Sequence, residues 1–398
     1  MSEVCKQLFT NIGCIHTVEL PTGLIEVKVE STYYPLDDLI GFAARANSKR
    51  GFLFLSKVLG KHWPVTPKLM HQIHVNLASQ VPENLPGPIV FVAMAETAIG
   101  LGQGVFESYK ATYPEHLAIF LHTTRYHISD IPIIEFEEAH SHAPRQFLHL
   151  PQDPELQDIF LAARSLVLID DEASTGNTFL NLTAAYRLVN PAIESVHLAT
   201  ITNFMGKVAN DALSQRFGIN VTIGNLLSGE YNFNAGKFSS ESVEAQVFEA
   251  NAERGASVMF GRIGVGHTVK LPSDLVRRLV NSIHIGERTL ILGTGEFMHM
   301  AFLLGLELEK LGIDVVVQST TRSPILLWGA VERALKFSDN YSEGIANFLY
   351  NVDPEQYKHI FICHETPLNP ALLHLANLLG GRLLHFLSEN QVEEVSIY

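Results

Sequence analysis

The sequence predicts an α/β protein built on parallel sheets, in two units of related topology. Apolar runs of strand length alternate with longer segments of helical periodicity, the rhythm of strand–helix–strand units with helices on the sheet faces. The 398 residues exceed one average domain. The strand ends also echo one another along the chain: "FLHTTR" against "VQSTTR", "FVAMAETAIGLG" against "LILGTGEFMHMA", and "LVLIDDE" against "IFICHET".

Residues 1–35 alternate apolar and polar groups, as in "TGLIEVKVEST", and read as hairpin material capping the N-terminus. "LDDLIGFAARANSKRGFLFLSKVLG" reads as helix, loop and helix. Pro88–Thr97 is the first core strand, followed by the Gly-rich "AIGLGQGV" and a helix to about Tyr109. His116–Arg125 is the next strand, and Tyr126–Phe147 is a long polar segment with few regular signals. "SLVLID" is a strand, then come a loop, a helix to about Asn190, and strands in "SVHLATITNF" and "NVTIGNLL". The Ser-, Gly- and Asn-rich stretch 228–250 marks a boundary, giving units 1–230 and 251–398. The second unit repeats the rhythm: strand "RTLILGTGEF", helix "MHMAFLLGLELEKLG", strand "DVVVQSTTR", an irregular stretch, strand "HIFICHET", helix "NPALLHLANLLG" and strand "RLLHFL".

Composition excludes some functions. Twenty-eight basic against 42 acidic residues give a net charge of −14, which argues against non-specific nucleic-acid binding. No apolar run approaches the roughly 20 residues of a membrane-spanning helix. The opening residues show no signal-peptide pattern. Cys5, Cys14 and Cys363 form no CxxC pair and read as reduced thiols, so a cytoplasmic setting is expected. "GLGQG" and "GRIGVG" lack the full dinucleotide-binding fingerprint, and no nucleophile elbow is present.

The most informative stretch is "LVLIDDEASTGNTFLNL", Leu166–Leu182. An apolar, buried strand delivers Asp170 and Asp171 to the carboxyl edge of the sheet, where open α/β sheets bind ligands. Ala173, Ser174, Thr175, Gly176, Asn177 and Thr178 then offer amides and hydroxyls at the start of a helix, a place suited to phosphate. Acids beside a phosphate cradle suit a phosphorylated sugar.

"LVLIDDEASTGNT" resembles the signature of type I phosphoribosyltransferases, whose flanking elements agree over about residues 85–205. "GFLFLSKVLGKHWPVTP", "AETAIGLG", "HSHAP" and "STTRSP" extend the resemblance over nearly the whole chain. They point to the bacterial, orotate-phosphoribosyltransferase-like family with a C-terminal TRSP domain, associated with tellurium-resistance gene clusters. The resemblance implies a parallel-sheet type I phosphoribosyltransferase fold followed by a second α/β (TRSP) domain of related topology. It implies 5-phosphoribosyl 1-diphosphate (PRPP) as substrate, a nucleobase-like nitrogen acceptor, Mg²⁺ and a homodimer, with no nucleic acid or membrane partner. A PRPP-binding regulator, or an enzyme whose main chemistry lies in the TRSP unit, are the alternatives.

Residue by residue, Asp170 and Asp171 match the ribose-contacting acids, and Ala173–Thr178 the loop for the 5′-phosphate. Ala95, Glu96, Thr97 and Ala98 occupy the diphosphate-loop position, with backbone amides as donors and Glu96 either acting through Mg²⁺ or turned away. Arg125 either clamps diphosphate or pairs with carboxylates. Lys57 and Lys61 either reach diphosphate, across a dimer, or are solvated. His140 and His142 lie in a hood segment, as metal ligands, as donors to the leaving group or base, or as plain surface histidines. In the second unit His364 and Glu365 replace the acid pair, and Pro367 and Pro370 remove amide donors. There Arg322 and Glu296 border a candidate anion site, or Arg322 pairs structurally with an acid such as Glu365.

Overall fold

A computed structural model describes residues 13–45, 50–137, 145–236 and 257–395. The chain begins with the hairpin β1 (Ile15–Leu20) and β2 (Gly23–Thr32), a short helix α1 (Leu36–Leu39), and a second hairpin, β3 (Ile40–Ala44) and β4 (Phe52–Ser56). Then follow α2 (Pro67–Ala78), β5 (Ile89–Ala93), α3 (Ile99–Thr112) and β6 (Ala118–His122). A hairpin of β7 (Ile133–Glu137) and β8 (Arg145–His149) leads through α4 (Pro154–Ala162) to β9 (Ser165–Ala173) and α5 (Asn177–Val189). The unit closes with β10 (Ser195–Asn203), α6 (Gly206–Asp211), α7 (Leu213–Phe217) and β11 (Asn220–Ala235).

The main sheet runs β1-β2-β11-β10-β9-β5-β6, with β11, β10, β9, β5 and β6 mutually parallel and β2 antiparallel to β11. Strand order therefore reverses between β5 and β9, the switch point where open α/β sheets bind ligands. One sheet face packs on α2 and α3 through Leu77, Leu101, Val105 and Phe106, and the other on α4 and α5 through Phe160, Phe179, Leu182 and Tyr186.

The second unit has α8 (Ser273–Asn281), β12 (Thr289–Gly293), α9 (His299–Lys310), β13 (Val315–Ser319), a hairpin of β14 (Ala334–Ser338) and β15 (Ala346–Tyr350), β16 (His359–His364), α10 (Pro370–Leu379), β17 (Arg382–Ser388) and β18 (Gln391–Val395). Its sheet order is β13-β12-β16-β17-β18, parallel through β17. The first strand thus lies between the second and third in both sheets. In both units a hairpin interrupts the path from the second parallel strand to the third. The echo in the sequence is an echo of topology.

The units exchange arms. Val65, ahead of α2, bridges to Val317 of β13 (N···O 3.1 and 2.8 Å), and the Ser319 N–H donates to the Gly60 carbonyl. Val265, ahead of α8, bridges to Phe120 of β6 (2.8 Å both ways), and the His122 N–H donates to the Gly261 carbonyl. Each arm leaves from a glycine with positive φ, Gly60 (68°) and Gly261 (93°), a conformation that side chains with a Cβ rarely adopt. Apolar burial crosses the joint too, since Val65 and Met70 belong to the core of the second unit.

One expectation is corrected. Residues 36–60 are not helix, loop and helix: beyond the single turn of α1 they form the β3–β4 hairpin. Apolar runs of five residues carry no periodicity that separates strand from helix. Tertiary packing decides, with Phe52 and Phe54 set edge-on against Tyr231 and Phe54 packed at a tilt on Phe204. The polar stretch expected to open the boundary at 228 continues as strand to Ala235, because Gly229–Ala235 pairs with β2. Residues 237–256 lie outside the described residues. No helix among the described residues is long and apolar enough to cross a membrane.

Candidate active site

β9 is apolar and buried through Ile169, and then Asp170, Asp171 and Glu172 are half-buried at its carboxyl end. Backbone pairing sets Ala93 of β5 beside Ile169, and the Met94 N–H donates to the Ile169 carbonyl at 2.9 Å. The Met94–Ala98 loop and the acids therefore leave adjacent strands at one level. The Ala95–Glu96 peptide bond is cis. The Ala95 N–H is taken by Thr123 Oγ1 (2.8 Å) and that of Ala98 by the Met94 carbonyl (3.2 Å). Glu96 and Thr97 have no such backbone partner among the described residues, which leaves their amides as the loop's donors.

After the acids, Gly176 adopts φ +72° and caps α5. That left-handed turn is open to glycine at little cost, and an added Cβ would lie 3.0 Å from Met205 Sδ. Arg216, exposed on α7, donates from Nη1 to the Thr175 carbonyl (2.9 Å) and from Nη2 to Asn177 Oδ1 (2.8 Å). A cation thus stands on the loop beside the N-terminus of α5, where the helix dipole also favours an anion. Arg50, next to the β3–β4 hairpin, closes the opposite side through Glu172 (Nη2···Oε1 2.6 Å). Neither arginine has a sequence signal, because each reaches the site from a remote element.

Asp171 is enclosed enough that burial pushes its carboxyl up to about 6. Glu172 adds to the shift, and the hydrogen bond with Asp170 opposes it. A carbon-13 NMR titration is expected to show a side-chain carboxyl titrating near 6 that is missing from Asp171→Asn. The carboxyl itself is the readout, since substrate phosphates also titrate near ~6. Finding every aspartate below about 5 would contradict this enclosure.

The other expected residues fall as follows. Arg125 is half-buried just past β6, and its N–H donates to Glu296 Oε1 at 3.2 Å. His140 and His142 lie outside the described residues. The hood flanking them is the β7–β8 hairpin, tied to α5 by Asn181 Nδ2 donating to the Glu137 carbonyl (2.9 Å). Its Gln146 accepts from the Thr123 hydroxyl (2.5 Å) and donates to the Ala95 carbonyl (3.4 Å). Lys57 donates to the Asp37 carbonyl (2.8 Å) and lies over Trp63.

Lys61 is not solvated. It is buried, 2.7 Å from Glu96 Oε1, and donates to the Gly295 carbonyl. Glu96 lies between Lys61 and Arg322 Nε (3.1 Å), and its carboxyl is held at about 2 by these cations against the opposing effect of burial. Arg322 pairs with Glu96 and with Glu343 (2.9 Å), not with Glu365. Glu296 and Glu365 are fully buried around Arg262, which the sequence reading passed over inside "GRIGVG". These pairs fill the place where a second anion site was expected.

The site and sheet define a type I phosphoribosyltransferase fold followed by a second α/β unit. Residues 39–230 match the family model described as "Phosphoribosyl transferase", and residues 261–380 match "TRSP domain C terminus to PRTase_2". Solved structures similar to this chain include adenine phosphoribosyl transferase from Trypanosoma brucei, at 16% identity, covering 53% of this chain and 87% of that one with a TM-score of 0.34. Orotate phosphoribosyltransferase from Francisella tularensis is 14% identical, covering 48% and 82%, with a TM-score of 0.29. Hypoxanthine phosphoribosyltransferase from Staphylococcus aureus is 14% identical, covering 42% and 78%, with a TM-score of 0.25. No curated protein matches the chain.

Proposed function

We propose that this protein is a phosphoribosyltransferase that moves the 5-phosphoribosyl group of PRPP to a nucleobase-like nitrogen and releases diphosphate. The observation that carries this reading is the junction of three pieces at the switch point: the acids ending β9, the amide-rich loop capping α5 under Arg216, and the Glu96–Thr97 amides after β5. They suit, in turn, a ribose ring, its 5′-phosphate and its 1-diphosphate.

Breaking the C1–O bond builds positive charge on the ribose ring, as in glycoside cleavage. Asp170 and Asp171 are placed to accept from ribose hydroxyls and to favour that charge electrostatically. The Glu96 and Thr97 amides donate to the departing diphosphate. The β7–β8 hairpin, pinned to α5, is the element positioned to exclude water. The two aspartates are hard oxygen donors and fit Mg²⁺ carried mainly on substrate oxygens. When bound, Mg²⁺ supplies charge neutralisation on the leaving group.

The test is diphosphate release from PRPP and Mg²⁺ across a panel of purine and pyrimidine bases, beside calorimetric PRPP binding. Release that depends on one base supports transfer. Binding without release with any base would favour a PRPP sensor, and no binding would remove the reading.

A further inference from the structure

We propose that the 320–331 stretch of the second unit is part of the PRPP site of the first, with Arg322 a positioning residue that sets the diphosphate loop through Glu96. The inference rests on the phosphoribosyl reading above and adds to it a role for the second unit.

Arg322 follows β13, and its Nε lies 3.1 Å from Glu96 Oε2, 226 residues away in sequence. The guanidinium is itself held. Its Nη1 lies 2.9 Å from Glu343, and its plane lies over the Tyr126 ring at 5.3 Å, with Tyr126 stacked on Tyr341 at 4.8 Å. Glu96 is one of the two loop residues whose amides are left as donors, so fixing its side chain fixes those amides. Lys61 holds the same carboxylate from the exchanged arm. Two cations on one carboxylate, Lys61 buried and Arg322 half-buried, leave the loop a single placement.

The following residues brace the other wall. Ser323 Oγ accepts from Arg45 Nη2 (3.0 Å), the Leu326 N–H donates to the Ala44 carbonyl (2.9 Å), and the Ala330 N–H donates to the Phe42 carbonyl (3.1 Å). Gly329 (φ +60°) lets this backbone pass, since a Cβ there would meet the Phe42 carbonyl oxygen at 2.8 Å. These bonds dock the stretch on β3, next to the segment that carries Arg50 to Glu172, beside Asp171. One run of the second unit thus contacts both the Met94–Ala98 loop and the hairpin next to Arg50.

The reciprocal contact shows why only one site is served. Glu296 stands after β12 as Glu96 stands after β5, and it receives the Thr124 hydroxyl (2.7 Å) and the Arg125 N–H from the first unit. Its surroundings are closed, with Arg262 filling the space between Glu296 and Glu365. Among the described residues this ion cluster occupies the second copy's counterpart of the diphosphate loop, yet the copy reaches across to the first.

The test compares wild type, Arg322→Ala and Arg322→Lys. Lysine keeps the charge between Glu96 and Glu343 but loses the fork, and it serves if alanine does not fold. Amide hydrogen exchange in 94–98 is expected to rise in both variants while β9 and α5 keep their protection. Affinity for PRPP with Mg²⁺ is expected to fall about 10- to 100-fold in Arg322→Ala, less in Arg322→Lys, and to recover with added methylguanidinium. Unchanged loop exchange in either folded variant overturns the proposal. Exchange that rises uniformly, with no guanidinium rescue, also overturns it, as a general loosening. A wild type that binds no PRPP sinks the phosphoribosyl reading, and loop exchange still decides whether Arg322 positions the loop.

Discussion

Asparagine at positions 170 and 171 together is expected to lower diphosphate release by about 10²- to 10⁴-fold while the fold stays intact. The change is nearly isosteric and leaves the hydrogen-bonding outline, so it removes charge more than shape. Stability should not suffer. Burial raises the Asp171 carboxyl to about 6, above its unfolded value, so the folded state binds that proton more tightly. Ionisation of this side chain therefore costs stability progressively as pH rises between the unfolded value and about 6, and at neutral pH the full cost is present. Neutral asparagine removes the cost, and the melting midpoint is expected to hold or rise slightly, the trade expected of a charge kept for function. Release rates measured at saturating PRPP, beside thermal melts, check both halves. Full turnover in the double variant would remove these acids from the reaction.

That site was legible because its signal is local. An apolar strand, two acids and a loop of small residues lie within one contiguous stretch. The topology of the second unit was legible for the same reason, strand end by strand end. The joint was not. Glu96 reads as an odd acid in a diphosphate loop until Lys61 and Arg322 are seen on either side of it, and Arg322 lies 226 residues away. Lys61 sits in a run that reads either as a solvated helix face or as a reach toward diphosphate, yet it is 1% exposed, because its arm crosses to the other unit. Arg216 belongs to a five-residue helix with no motif, and it matters only because α7 packs beside the loop. Pairings set by the meeting of distant elements leave no periodicity to read.

The largest effect on stability is expected at Arg262. Its side chain is 1% exposed, between two carboxylates that are 0% exposed. Nη1 and Nη2 fork onto Glu365 at 2.6 and 2.7 Å, Nη2 also reaches Glu296 at 3.1 Å, and Nη1 donates to the Ser257 carbonyl at 3.0 Å. Arg262→Ala strands two buried negative charges, and breaking a buried pair in this way costs about 3–5 kcal/mol. Arg262→Lys is expected to recover only part of this, since one ammonium cannot fork to two carboxylates. The decisive comparison is Arg262→Met with Glu296→Gln and Glu365→Gln. Removing every charge removes the desolvation cost along with the attraction, so this triple variant is expected to unfold at a higher denaturant midpoint than Arg262→Ala alone. Chemical denaturation followed by tryptophan fluorescence and circular dichroism gives the ordering. If Arg262→Ala matched wild type to within about 1 kcal/mol, water would have to reach these carboxylates, and the closed second cleft would be open after all.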